Sequence, residues 1–226
     1  MTLARALGEP FTLAFALFFE TILHRFRRDW RAQQERAADV IAIGDVQGFP
    51  NWRGVGRIYH GLARVNAGEG ADALTEVAKG LALAAGTGSR GGAPGIFASL
   101  ADGQRAAGQY ADALGVVESG LTVATETGQH AWDAALYYLK GELLLATDAA
   151  NSAEGEALFH RALDIARAQE AKSFELRAAT SLARLWQRQG KRAEAHTLLA
   201  PVYAWFTEGF DTGDLVEAKA LLEELR

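Results

Sequence analysis

The five histidines, His24, His60, His130, His160 and His196, are the side chains of this chain most able to bind a metal or move a proton near neutral pH. None stands three or four residues from another and no H-E-x-x-H occurs, so no helix offers a ready pair of metal ligands. The sequence has no cysteine, which excludes disulfides, thiolate zinc sites, iron–sulfur clusters and a cysteine nucleophile. A G-x-S-x-G serine elbow and a G-x-x-x-x-G-K-[ST] phosphate loop are also missing. The run from Gly86 to Gly91 fits G-x-G-x-x-G in letters. That motif cradles a dinucleotide only between a strand and a helix, and here it follows a predicted helix, so it reads as a loop. No catalytic, cofactor-binding or metal-binding residue is assigned, and the chain is read as a non-enzyme.

Recognition chemistry is better represented. Glu142 lies inside the apolar run Leu136 to Leu145, and Glu175 and Arg177 open a later helix. An acid in a first helical turn is favoured by the helix dipole, so Glu175 also reads as plain electrostatic capping. Tyr137 and Tyr138 are adjacent and point about 100° apart on a helix, so at least one approaches the surface or a groove. Tyr59, Tyr138 and Arg177, with Glu142 and Glu175, form the candidate partner-binding groove.

Composition sets limits on the partner. The 226 residues carry a net charge of −5 and a pI near 5.6, which gives no global field for nucleic acid. His24, Arg25, Arg27, Arg28, Arg31 and Arg36 form a local basic cluster, read as the solvated face of two consecutive helices. The most apolar stretch, Phe11 to Leu23, is shorter than the ~20 residues a bilayer span needs and is broken by Glu20. It also lacks the order of charge, apolar run and cleavage site of a signal peptide. The expectation is a cytoplasmic protein without membrane contact.

The elements that position these residues are repeats. Ala71-Asp72-Ala73-Leu74 returns as Ala111-Asp112-Ala113-Leu114, and Gly80-Leu81 returns as Gly120-Leu121, an offset of 40 residues. Weaker copies follow around Gly155, Phe159, Ala162 and Leu163, and around Ala195, Leu199 and Val202. Each copy holds two amphipathic stretches separated by a polar or glycine break: Gly68-Glu69-Gly70, Gly108-Gln109, Thr147 to Ser152, Gly190-Lys191. Glycine in those breaks can supply the left-handed residue that ends a helix. The unit is therefore a helical hairpin, and a 40-residue period means a solenoid. Small residues at Ala73, Gly80, Ala113, Gly120, Gly155 and Ala162 share one face of the second helix, where they admit a close neighbour.

The predicted fold is all-α, a right-handed superhelical solenoid of about eleven helices. It forms one domain over residues 1–226, with hairpins at about 10–46, 51–87, 93–128, 129–170 and 171–208 and a terminal helix at 214–226. In the first hairpin Phe15, Phe18, Phe19, Ile22 and Phe26 are placed inward, and Asp214 is placed as N-cap of the last helix. Met1 to Gly8 reads as the tail of a preceding helix, which suggests the C-terminal part of a longer protein. An apolar edge left on the N-terminal hairpin, Phe11 to Phe26, makes homodimerisation through it an expectation.

Such helix pairs resemble tetratricopeptide repeats with a longer period. Three stretches sharpen the resemblance. Leu7 to Ala14 joins Arg27-Arg28-Asp29, and Gly48-Phe49-Pro50-Asn51-Trp52 is followed by Gly56 and Gly61. The third runs from Ala162 to Arg167, through Lys172 to Ala179 and Leu182 to Trp186, to Leu199 to Tyr203 and Phe206 to Thr212. Together they resemble the C-terminal repeat region of bacterial multidomain regulators, which carry a class III adenylate/guanylate cyclase or a DNA-binding module and a STAND-type ATPase. The resemblance implies a non-catalytic protein-interaction module that controls an attached or partner cyclase or ATPase in signalling. The cyclase aspartates and the ATPase phosphate loop have no counterpart here. A small-molecule sensor, holding a metabolite or acyl chain in the concave groove, is the alternative reading.

Overall fold

The computed structural model describes residues 2–69, 71–88 and 91–226, and every described element is helical. Contacts divide the chain into two compact units, Met1–Gly91 and Gly92–Arg226. The division falls in the glycine-rich stretch Gly86 to Gly95. Ser89 and Arg90, inside the G-x-G-x-x-G letters, lie outside the described residues.

The N-terminal unit holds α1 (Thr2–Leu7), α2 (Pro10–Phe26), α3 (Trp30–Gln47), α4 (Pro50–Asn66) and α5 (Ala71–Ala85). Proline opens α2 and α4, where its missing N–H has no intrahelical partner to lose. Asp29 caps α3 by accepting from the Ala32 amide at 3.1 Å. Gly48 ends α3 at φ +66°, the left-handed value that an L side chain adopts poorly.

The C-terminal unit continues with α6 (Ala93–Ala106), α7 (Tyr110–Thr127), α8 (Asp133–Thr147), α9 (Ser152–Ala168), α10 (Lys172–Arg188), α11 (Arg192–Ala204) and α12 (Gly213–Leu225). The glycine breaks act as the sequence expects: Gly68, Gly108 and Gly190 adopt φ of +89°, +75° and +79°. The Thr147 to Ser152 break has no glycine and closes instead through a short 3-10 turn, Ala149–Asn151, which Asp148 caps by accepting from the Ala150 amide.

The repeated small residues sit at helix contacts. Ala73, Ala113 and Ala162 are fully buried. A Cβ on Gly80 would lie 2.7 Å from the Gly54 carbonyl oxygen and 2.7 Å from the Ile58 amide, so α5 touches the backbone of α4. At Gly120 the same atom would meet the Leu136 and Phe97 side chains at 2.9 Å. What the repeat preserves is van der Waals room.

Two local expectations are corrected. Phe15 and Phe19 do not point inward: the buried face of α2 is Ala14, Leu17, Thr21 and Arg25, while both phenylalanines are about half exposed. Ala14 and Leu17 pack with Val40 and Trp52. Ala14 and Leu17 fit between Val40 and Trp52, and the phenylalanine row is left lateral, against Trp52 at its edge. Asp214 is not the N-cap of α12 either. Thr212 holds that position without a side-chain cap bond, and Asp214 sits in the first turn.

Candidate functional site

Within the C-terminal unit the first helices of successive pairs pack on one another, α6 on α8, α8 on α10, and α10 on α12. The second helices α7, α9 and α11 do not pack in this way, so the first helices take the inner side of the stack. Positions about one repeat apart then become neighbours, and polar side chains at those positions join across helices.

The joined residues form a ladder. On α6, Arg105 reaches Asp102 at 2.9 Å and Glu142 of α8 at 3.4 Å. The Ser181 hydroxyl of α10 donates to the other oxygen of Glu142 at 2.7 Å, across 39 residues of sequence. One turn earlier on α10, Arg177 donates to Asp214 of α12 at 2.7 Å, across 37 residues, and to the Tyr138 hydroxyl at 3.4 Å. Arg184 pairs with Glu217.

Burial makes parts of this ladder unusually well fixed. The Arg177 and Asp214 side chains are only 12% and 8% exposed. Burial alone would favour a neutral Arg177, but the hydrogen-bonded Asp214 carboxylate holds it firmly cationic at neutral pH, above the ordinary arginine range, and the Tyr138 phenol adds to this only where it ionises. Arg105 is raised in the same sense, with Glu142 and Asp102 overcoming its burial. Burial also pushes the Tyr138 phenol up despite the nearby Arg177, so it stays protonated at neutral pH.

Beside the ladder lies an open cavity of about 250 Å³, walled by Arg105, Glu142, Ser181, Arg184 and Arg188 over Phe159. Three guanidiniums and one carboxylate line it, and Arg188 stands on the solvent side of α10.

The five candidates from the sequence separate into three places. Tyr138, Glu142 and Arg177 come together in the ladder. Tyr59 lies in the other unit on α4, 2% exposed, with its ring against Phe18 and its carbonyl accepting from Gln33 at 2.8 Å. It offers no surface. Glu175 is buried at the start of α10 and ties it to α9, accepting from Lys172 at 2.7 Å and Arg167 at 2.9 Å. Asp102, Arg105, Ser181, Arg184 and Glu217 are not singled out in the sequence, and Asp214 is read there only as a helix cap. Their signal is a shared register on the first helices, which becomes visible only when the chain is aligned on α6, α8 and α10.

The pairing of Glu175 has a pH consequence. Burial raises its pKa, but the hydrogen bonds from Lys172 and Arg167 outweigh burial and leave it below the ordinary 4.5. A depressed carboxyl pKa stabilises the fold above the unfolded value, and that contribution is lost as pH falls through the folded value. Glu175→Gln is therefore expected to melt below the wild type at pH 7, with the gap narrowing at an acid pH below the ordinary carboxyl range. Thermal melts followed by circular dichroism at both pH values check this.

Among the described residues, no group of three or more His, Asp or Glu side chains could hold a metal ion. The histidines that pair do so singly, as His60 does with Glu76 at 3.0 Å. No described helix is long and apolar enough to cross a membrane.

No protein-family model and no curated protein matches this chain. Solved structures do. A kinesin light chain-like protein of Podosopora anserina with nearly identical TPR-like repeats superposes with a TM-score of 0.57 at 20% identity, covering 87% of this chain and 95% of that one. A variant form of that protein superposes with the same TM-score at 19% identity, over 84% and 92% of the two chains. The fold is thus an all-α solenoid of TPR-like helix pairs.

Proposed function

We propose that this chain is a non-catalytic protein-interaction module whose C-terminal unit binds a peptide or a neighbouring domain on its first-helix face. The observation that carries this is the ladder with its adjoining cavity. Ion pairs between α6, α8, α10 and α12 hold polar side chains in fixed positions, and the cavity beside them carries more cations than anions. A rigid, pre-arranged polar surface binds with less ordering cost than a loose one. The cavity suits an acidic side chain of an extended or helical segment.

The small-molecule alternative is less well supported. At the ladder, about 250 Å³ is below the ~300–1,000 Å³ usual for ligand sites, and the wall sets Arg105, Glu142, Ser181, Arg184 and Arg188 against Leu145, Phe159 and Leu185, where an acyl chain needs a continuous apolar lining.

On the resemblance of Lys172 to Ala179 and Leu182 to Trp186 to bacterial regulators, the proposed partner is a cyclase or STAND-type ATPase domain, attached or separate, in cytoplasmic signalling. A homodimer through the N-terminal hairpin is a second proposed contact. Selection of a random twelve-residue peptide display library on the immobilised chain tests the first-helix site. Recovered peptides should carry an acidic residue and bind Arg188→Glu about 10-fold more weakly by titration calorimetry. Peptides that bind wild type and Arg188→Glu equally would contradict the assignment.

A further inference from the structure

The exposed apolar residues of the N-terminal unit are ordered. Phe11, Phe15, Phe19 and Leu23 follow each other at intervals of four along α2 and are 57%, 50%, 54% and 56% exposed. Leu3 and Leu7 on α1 are exposed as well. The row is held in place from behind. The Phe11 and Phe15 rings meet Trp52 edge-on at 5.5 and 6.1 Å, and Phe15 meets Phe19 at 4.9 Å. Its side chains are thus largely arranged before any partner arrives.

We propose that this row pairs with the same row of a second copy of the chain, the two α2 helices running antiparallel about a two-fold axis. This rests on the N-terminal dimer reading and not on the ladder. Area and charge both select a second copy.

A fully exposed aromatic side chain offers about 150–250 Å². Half-exposed, the six residues present on the order of 600 Å² of apolar surface, near the upper end of the largest patch on a typical monomer. With a polar rim, that approaches the ~800 Å² each partner contributes to a standard interface. A single row along one helix is also self-complementary, as a two-fold contact requires.

Charge sets the direction of the pair. Exposed Glu9 stands at the start of α2, whereas exposed Arg27 and half-buried Arg28 stand just past its end. An antiparallel pair sets each acidic start beside a basic end and opposes the helix dipoles. A parallel pair would stack the two basic ends.

Sedimentation velocity on the full 226-residue chain over roughly 1–100 µM tests the proposal. The wild type should pass from monomer to dimer in that range. Phe15→Glu and Phe19→Glu should each weaken the dimer at least about 100-fold, leaving monomer throughout. Each variant gives up only the half-buried ring contacts of Phe15 or Phe19, so helix content of the monomer should be unchanged and its melting lowered only modestly, which separates a lost interface from a lost fold. Glu9→Arg should also weaken the dimer, by about 10-fold. A wild type that stays monomeric overturns the proposal and assigns the row to a partner of another kind. A dimer that persists in both glutamate variants overturns it too. Neither result depends on peptide binding at the ladder, so the two readings fail separately.

Discussion

A Gly80→Val chain is expected to lose the close packing of α4 on α5 and, with it, about 3 kcal/mol or more of stability in the N-terminal unit. The reason is what the added carbons meet. A Cβ at position 80 would sit 2.7 Å from both the Gly54 carbonyl oxygen and the Ile58 amide, and these are backbone atoms that no rotamer change can move. Position 54 is reciprocal: a Cβ there would lie 2.7 Å from the Ala84 amide and 2.9 Å from the Gly80 carbonyl oxygen. The helices must separate, and every apolar contact along the seam loosens with them. Helix propensity acts the other way by only a few tenths of a kcal/mol and does not offset this. At Gly120 the neighbours are the Leu136 methyl groups, which can shift, and the Phe97 Cβ, which cannot, so Gly120→Val should cost only somewhat less. Gly115 supplies the control. It lies inside α7 with nothing within 4 Å of its would-be Cβ. Gly115→Ala should therefore stabilise by up to about 1 kcal/mol, since alanine replaces the poorest helix former except proline. Thermal melts of the three variants read the order directly. Gly80→Val tolerated as well as Gly115→Ala would contradict the packing described for α4 and α5.

The second large effect is expected at Arg177. Arg177→Met should destabilise the C-terminal unit by about 3–5 kcal/mol, because it leaves the buried Asp214 carboxylate without its cation. A buried pair adds little stability over a well-packed apolar pair, since desolvation of both charges consumes most of their attraction. The double variant Arg177→Met with Asp214→Leu should therefore recover more than half of the loss. Arg177→Lys should recover only part, because a point charge cannot meet Asp214 and the Tyr138 hydroxyl with the separate N–H groups that Arg177 uses. Chemical denaturation of the four chains gives the comparison. If the double variant is as unstable as Arg177→Met alone, the arginine acts through contacts other than this pair. With the expected recovery, the pair's role is register: it joins α12 to α10 on the inner face while adding little net stability.

The sequence expresses the repeat through residues that act locally. Gly68, Gly108 and Gly190 end helices by their own backbone conformation, so their positions mark the turns without any knowledge of the tertiary fold. Gly80, Gly120 and Ala162 mark helix contacts because only small residues fit there, and they recur 40 and 42 residues apart, with the period of the chain.

What stayed hidden depends on which elements meet. The inward face of α2 could not be read from hydrophobicity, because α2 is apolar on more than one side. The side that packs on Val40 and Trp52 is Ala14 and Leu17, and the phenylalanine row is the one left half exposed. Asp214 has the residue type of an N-cap and stands beside the helix start, but the helix begins after Thr212, and the side chain of Asp214 goes instead to Arg177, 37 residues away. Tyr59 and Tyr138 look alike in sequence. One is enclosed by α2 and α3, while the other lies under a ladder of charges. Asp102 and Arg105 are ordinary solvated residues until α8 brings Glu142 to them.

Whether the first helices of the C-terminal unit form the binding face is tested most directly by amide chemical-shift mapping. The full chain would be titrated with an acidic peptide recovered from the display library. Shifts are expected to concentrate on α6, α8 and α10 around Arg105, Glu142, Ser181, Arg184 and Arg188, and to be abolished by Arg188→Glu together with Arg184→Glu. Shifts confined to α9 and α11, or to the phenylalanine row of α2, with the ladder amides unmoved, would contradict a first-helix binding face.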